Sequence, residues 1–207
     1  EFMNDSQLEH LIIRGKDSEA TGLPLILERI AENITVSFCP NSSSSPESIV
    51  FFPEYYEWLD EISPAHIFSR SIHGEGFRMR KSFENGILNY RKYDSCLENA
   101  LMVESPESLC KIALNRLRWP SRLEDIFREK YENVIKKYMG TAFTLAVKDQ
   151  DFPMLQFICE HFSPDASALA SAIDQCIEKE WGEGNAFLIE AKHKSFSKKT
   201  FDFDLDF

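Results

Sequence analysis

Between Thr141 and Lys192 the chain writes one short pattern twice, and this repetition restricts the fold more than any other feature. Ala142–Val147 (AFTLAV) is followed by a polar turn, Lys148–Asp151, and then by the larger apolar residues of Met154–Ile158. A second version begins at Ala168–Ile173 (ALASAI) and resumes, after a longer insert, at Ala186–Ile189. A related version precedes both: Cys96–Leu101, offset by 46 residues from Ala142–Val147, then Glu104–Pro106, then Leu109–Ala113. Each reads as a small-residue helix, a turn and a bulkier helix. Small residues let two antiparallel helices approach closely, and large ones fill the seam between neighbouring pairs. Such a unit cannot bury its own apolar face, so units stack.

The pattern A-[LFV]-x-x-A-[ILV], then a polar turn, then L-x-x-[IL], resembles degenerate ankyrin repeats across residues 95–196. The T-P-L-H start, the glycine between paired helices and the regular 33-residue spacing of that family are missing, which leaves an irregular helical bundle as the alternative. The resemblance implies a protein-binding surface built from turns: 148–151, Ser163–Ser167 and Gly182–Asn185. Its candidate contact residues are Asp149, Asp151, Asp165, Glu183 and Asn185. An adaptor, an inhibitor and an effector would all fit.

The chain before Asp94 reads differently. Leu8–Ile13 is a short apolar run, helix or strand. Leu23–Ile30 reads as a helix with Leu25, Ile26 and Ile30 on one side. Ile34–Phe38 and Ile49–Phe52 read as strands, separated by the Ser- and Pro-rich loop 39–48. Pro53–Ile62 reads as a short aromatic helix, and Ser63-Pro64 as the start of another. Gly76–Tyr93 reads as a hairpin around Asn85-Gly86, a pair that tolerates the positive φ of a tight turn. After Asp94 only helices are expected. Ser105-Pro106 opens one. Ser121–Glu124 reads as a capping box for a long helix ending at Gly140. The expected class is therefore α+β, mainly α: a mixed α/β region at 3–94, a helical region at 95–196 and an acidic-aromatic tail at 197–207. Met3, after Glu1-Phe2, reads as the start of the chain, with no removed leader.

Charge narrows the function classes. With 34 acidic and 23 basic residues the net charge is −11, the wrong sign for a phosphate footprint or an anionic membrane surface. The expected partner is another protein, not nucleic acid or membrane. Cys39, Cys96, Cys110, Cys159 and Cys176 are odd in number and form no C-x-x-C pair, so a reducing, cytoplasmic setting without disulfides is expected, delivery into a host cell remaining compatible. The five histidines, His10, His66, His73, His161 and His193, have no metal-ligand spacing. Neither a metal, a cofactor nor a catalytic residue is assigned.

Two stretches carry other chemistry. An enzyme of unrecognised type is the alternative to a binding module, with its site near Cys39, His66, His73, Arg78 and Arg80. The run His73–Gly76 (HGEG) reads as a turn, because a phosphate cradle needs more glycines and a following helix. In the tail, Phe201, Phe203, Leu205 and Phe207 alternate with Asp202, Asp204 and Asp206. An extended chain would put the apolar side chains on one face and the carboxylates on the other. That face suits self-packing, a partner's sheet edge or exchange between copies in a homo-oligomer.

Overall fold

The computed structural model describes the backbone of residues 8–15, 22–42, 45–62 and 67–199, with the side chains of these except 60–62, 67–68 and 195–199. The serine-proline start at 63–64 and the tail residues Phe201, Phe203, Leu205 and Phe207 lie outside the described residues. The fold is α+β and mainly α, and among the described residues the strands lie in the N-terminal part. Two compact units divide between Tyr131 and Glu132.

Unit 1 opens with a βαβ element. β1 (His10–Arg14) and β2 (Ile34–Cys39) pair in parallel, so the chain between them must cross over, and α1 (Leu23–Leu27) lies on that crossover. α1 buries Leu23 and Leu27, with Ile30 just beyond it, whereas Leu25 is exposed, so its inward face differs from the expected one. β3 (Ser48–Phe52) adds antiparallel to β2, giving the order β1-β2-β3. Every residue of β3 is buried, as suits a strand with a helix packed on it.

The segment expected as an aromatic helix is instead β4 (Tyr56–Ile62). It pairs antiparallel with β5 (Ile67–His73) along its whole length, Tyr56 opposite His73 and Ile62 opposite Ile67. Tyr, Trp and Ile favour strands, and the partner strand decides the matter. The reverse correction applies at Gly76–Arg80, expected as a strand and folded as α2. Consecutive Met79 and Arg80 are both buried, which strand alternation would forbid on a half-buried sheet. Only the turn of the expected hairpin survives: β6 (Phe83–Glu84) and β7 (Ile87–Leu88) flank Asn85 and Gly86, at φ 52° and 81°. Then follow α3 (Tyr90–Ser95), capped by the Asn89 side chain, and α4 (Leu97–Val103).

α5 (Pro106–Arg118) starts at Ser105, whose hydroxyl accepts from the Ser108 amide at 3.1 Å. It packs along β3. The upstream version of the helix-pair pattern thus supplies a helix that covers a sheet. The capping box at Ser121 does not form. Arg122 takes a left-handed φ of 51°, and α6 (Asp125–Lys137) begins four residues after Ser121.

Two buried arginines hold unit 1 together. Arg80 donates from Nη1 to the carbonyls of Pro53 (2.6 Å) and Gly76 (2.9 Å), and from Nη2 to that of Glu32 (2.6 Å). It has no carboxylate among these partners, and burial brings its pKa down to about 10. Gly76 makes this approach possible, since a Cβ there would lie 1.9 Å from the Pro53 carbonyl oxygen. Arg116 forms a two-pronged pair with Asp94, Nε to Oδ1 at 2.8 Å and Nη2 to Oδ2 at 3.0 Å. Tyr131 donates its hydroxyl to the same Oδ1 at 2.8 Å. Asp94, expected near a domain boundary, is therefore an interior residue of unit 1, 1 % exposed.

Unit 2 is helical. α6 passes into it, then α7 (Met139–Lys148), α8 (Phe152–Phe162), α9 (Ala166–Glu178) and α10 (Gly182–Lys199) follow. Gly140, expected just past the end of a helix, lies in the first turn of α7. The break falls earlier, at Tyr138 with φ −115° and ψ 37°. α7 packs on α8 and α9, and α10 packs on α8 and α9. These are two helix pairs, α7/α8 and α9/α10, laid side by side.

The pairs repeat at an offset of thirty residues. At the end of α7 the Asp151 amide donates to the Ala146 carbonyl and the Gln150 amide to Val147; at the end of α9 Trp181 donates to Cys176 and Glu180 to Ile177. Each is a Schellman turn with a left-handed residue, Gln150 at φ 49° and Glu180 at φ 53°. The buried positions share the offset: Ala142 with Ala172, Ala146 with Cys176, Ile158 with Leu188. The sequence pattern locates both pairs, but its alignment of Ala142 on Ala168 is four residues out of register.

Candidate functional site

Three-residue connections, 149–151, 163–165 and 179–181, join the helices of unit 2. Successive helices therefore alternate in direction, and the two Schellman turns fall at the same end of the stack. Of the candidate contact residues, Asp149, Asp151, Glu183 and Asn185 belong to that end, whereas Asp165 lies at the opposite one. Two of the carboxylates cap helices: Asp151 accepts from the Met154 amide at 2.8 Å and Asp165 from the Ala168 amide at 2.7 Å. Asn185 is half-buried, and its side-chain oxygen has no hydrogen-bond partner. Its counterpart in the first pair is the fully buried Leu155. The exposed part of this end is the ridge Lys148, Asp149 and Gln150 beside Glu178, Lys179, Glu180 and Glu183. Carboxylates outnumber ammonium groups on it.

The second pair differs from the first in what covers it. Val147 in α7 is 1 % exposed, and its counterpart Ile177 in α9 is 58 % exposed. Cys159 in α8 is half-buried, and its counterpart Ile189 in α10 is 42 % exposed. Among the described residues the α9/α10 pair has an apolar side on which no further pair is stacked.

Unit 1 holds a groove of about 650 Å³ between β5, α2 and the link from α4 to α5. Of the residues singled out for an enzyme site, the groove gathers His73 and Arg78. Arg80 is buried and committed to carbonyls. Cys39 is buried in β2, on a different sheet from His73. His66 lies outside the described residues. His73 stacks on Tyr56, ring centroids 4.9 Å apart. Tyr56, Ile72 and Val103 give the groove an exposed apolar wall, and Ser105 and Ser108 add hydroxyls.

Three carboxylates line the same space: Glu54, Glu75 and Glu104. The Glu75 amide donates to Glu104 Oε1 at 2.6 Å. Burial raises the pKa of both Glu75 and Glu104 above the ordinary carboxylate range. Burial, then the Glu75 charge, push the nearby Cys96 thiol up to about 11, which leaves little thiolate for nucleophilic work. The HGEG run marks part of this groove in the sequence. Glu104, Ser105 and Ser108 carry no such mark, because they join it only through the packing of α4 and α5.

Among the described residues no three His, Cys, Asp or Glu side chains converge as a metal would require, and no helix is long and apolar enough to cross a membrane. Compared with protein-family models, curated proteins and solved structures, the chain has no match.

Proposed function

We propose that the chain is a protein–protein interaction module whose helical unit presents the acidic turn ridge to a basic segment of a partner. The observation that carries this reading is the repetition itself: two consecutive helix pairs bring the same turn to the same end of the stack, thirty residues apart. Stacked repeats use such aligned turns as extended binding surfaces. A module of this kind would bind through rigid turns, not through a cavity. Excess carboxylate selects a basic partner and speeds encounter at low salt.

The test is affinity capture with the full chain from cell extract. Asp149→Lys/Glu180→Lys/Glu183→Lys reverses the ridge, and Glu160→Lys places a control charge at the other end of α8. A protein held by wild type and by the control, and released by the triple variant, fits the proposal. Capture indifferent to the triple variant, or no captured protein at all, overturns it.

A further inference from the structure

The groove of unit 1 contains an acceptor that the fold leaves unused. The Glu75 side chain is 6 % exposed; its carboxylate has the weak Cys96 thiol as a side-chain donor, but its Oε1 accepts no hydrogen bond. An ionised carboxylate kept from water without a donor costs several kcal/mol, so such groups normally pair. The nearest cation is Arg78, whose Nη1 stands 3.5 Å away, too far for a hydrogen bond, on a side chain that is itself 59 % exposed. Arg78 thus covers the acceptor from the solvent side without satisfying it. Glu104 and Glu54 line the same groove, and Arg80 behind them is already held by three carbonyls. The groove's three carboxylates outnumber its one arginine, and the adjoining wall of Tyr56, Ile72 and Val103 is apolar and exposed.

We propose that this groove is a receptor site for a protonated amine or guanidinium carried on an apolar or aromatic group. The ligand's cation displaces the Arg78 head and donates to Glu75 Oε1, with Glu104 beside it. Its apolar body lies along Tyr56, Ile72 and Val103. A volume of about 650 Å³ suits a small organic cation or one basic side chain with its neighbour. Anions are disfavoured by the three carboxylates. A cation arriving beside Glu75 and Glu104 favours their charged forms and so offsets the burial that raises their pKa values. The groove lies wholly in unit 1, so its ligand site does not depend on the turn ridge of unit 2.

The experiment uses the full chain and calorimetric titration with benzamidine, a guanidinium-like cation on a ring, and with benzyl alcohol as its uncharged counterpart. Benzamidine should bind and benzyl alcohol should not at the same concentration. Glu75→Gln should weaken benzamidine tenfold or more. Arg78→Ala should tighten it several-fold, because the displaced group is gone. A purely structural role for the pair would not give opposite signs. Circular dichroism verifies that both variants fold, and Glu160→Gln serves as the remote control. Two further probes separate the sources of the cation: agmatine stands for a free amine, and N-acetyl-Phe-Arg-amide for a peptide side chain. Binding of either one, lost in Glu75→Gln, upholds the proposal and names the source. Equal binding of benzyl alcohol, indifference to Glu75→Gln, or weakening by Arg78→Ala overturns it.

Discussion

The Asp94–Arg116 pair gives the most quantitative handle on unit 1. Replacing Asp94 by Ala removes the acceptor for three hydrogen bonds, two from Arg116 and one from Tyr131. Arg116 would keep only the Ser121 carbonyl at 3.1 Å and the face of the Tyr90 ring at 4.8 Å. Its Nη1 already has no partner. A fully buried guanidinium stripped of its carboxylate is destabilising by about 3–5 kcal/mol. Unfolding a unit of this size carries an entropy near 0.28 kcal/mol per kelvin, so melting should fall by roughly 10–18 °C. Urea unfolding followed by the emission of Trp58 and Trp119, in a Trp181→Phe background, reads unit 1 alone. The companion variant Asp94→Leu/Arg116→Met/Tyr131→Phe removes every charge and donor together and should return to within about 2 kcal/mol of wild type. A loss under about 1 kcal/mol for Asp94→Ala, or a triple variant no better than the single, would refute the reasoning. Either result would mean that the pair is solvated and that apolar packing alone orders this region.

Three further outcomes can be checked by denaturation. Glu75 and Glu104 have raised pKa values in the fold, so the folded state holds more protons than the unfolded chain as pH rises past the ordinary carboxylate value. Unit 1 should therefore lose stability with rising pH through that window, and Glu75→Gln should flatten the slope and raise stability at neutral pH; an unchanged slope counts against burial of the charge. Asn185→Leu places in the second helix pair the residue type that its counterpart Leu155 has in the first. Removing an unpaired buried oxygen in this way should stabilise unit 2 by about 1–2 kcal/mol, seen as a higher urea midpoint by Trp181 emission. Gln150→Gly and Glu180→Gly free two left-handed residues from Cβ strain and should each stabilise by about 0.5–1 kcal/mol. A loss at either position would contradict the Schellman assignment.

What the sequence made legible follows from how local each signal is. The turn between α7 and α8, the Ser105 cap and the Asn85-Gly86 turn depend on neighbours a few residues away, and all were readable. β4 was not, because Tyr56–Ile62 is a strand by virtue of its pairing with Ile67–His73, across a segment that looked like a helix start. α2 was misread for the complementary reason. Phe77 and Met79 alternate like a strand, but Arg80 has to turn inward to reach the carbonyls of Glu32 and Pro53, and a helical turn delivers it there. The thirty-residue register was hidden by its own punctuation. The eye looks for glycine at a Schellman turn, and here glutamine and glutamate hold the left-handed positions. In the groove, His73 and Arg78 were visible as chemistry, whereas Glu104 needed the fold to bring it from the far end of α4.

The side of the α9/α10 pair on which no described helix pair is stacked sets a rule for growth. Val147 is buried where Ile177 is exposed, so the second pair already displays the surface on which the first receives its successor. A tandem copy of residues 151–180 inserted after Glu180 would meet a complementary face, bring its own left-handed turn residue and lengthen the ridge by one step. The module is in that sense a ruler with an open mark: its reach along an extended target can be changed by whole units without redesigning any contact inside them.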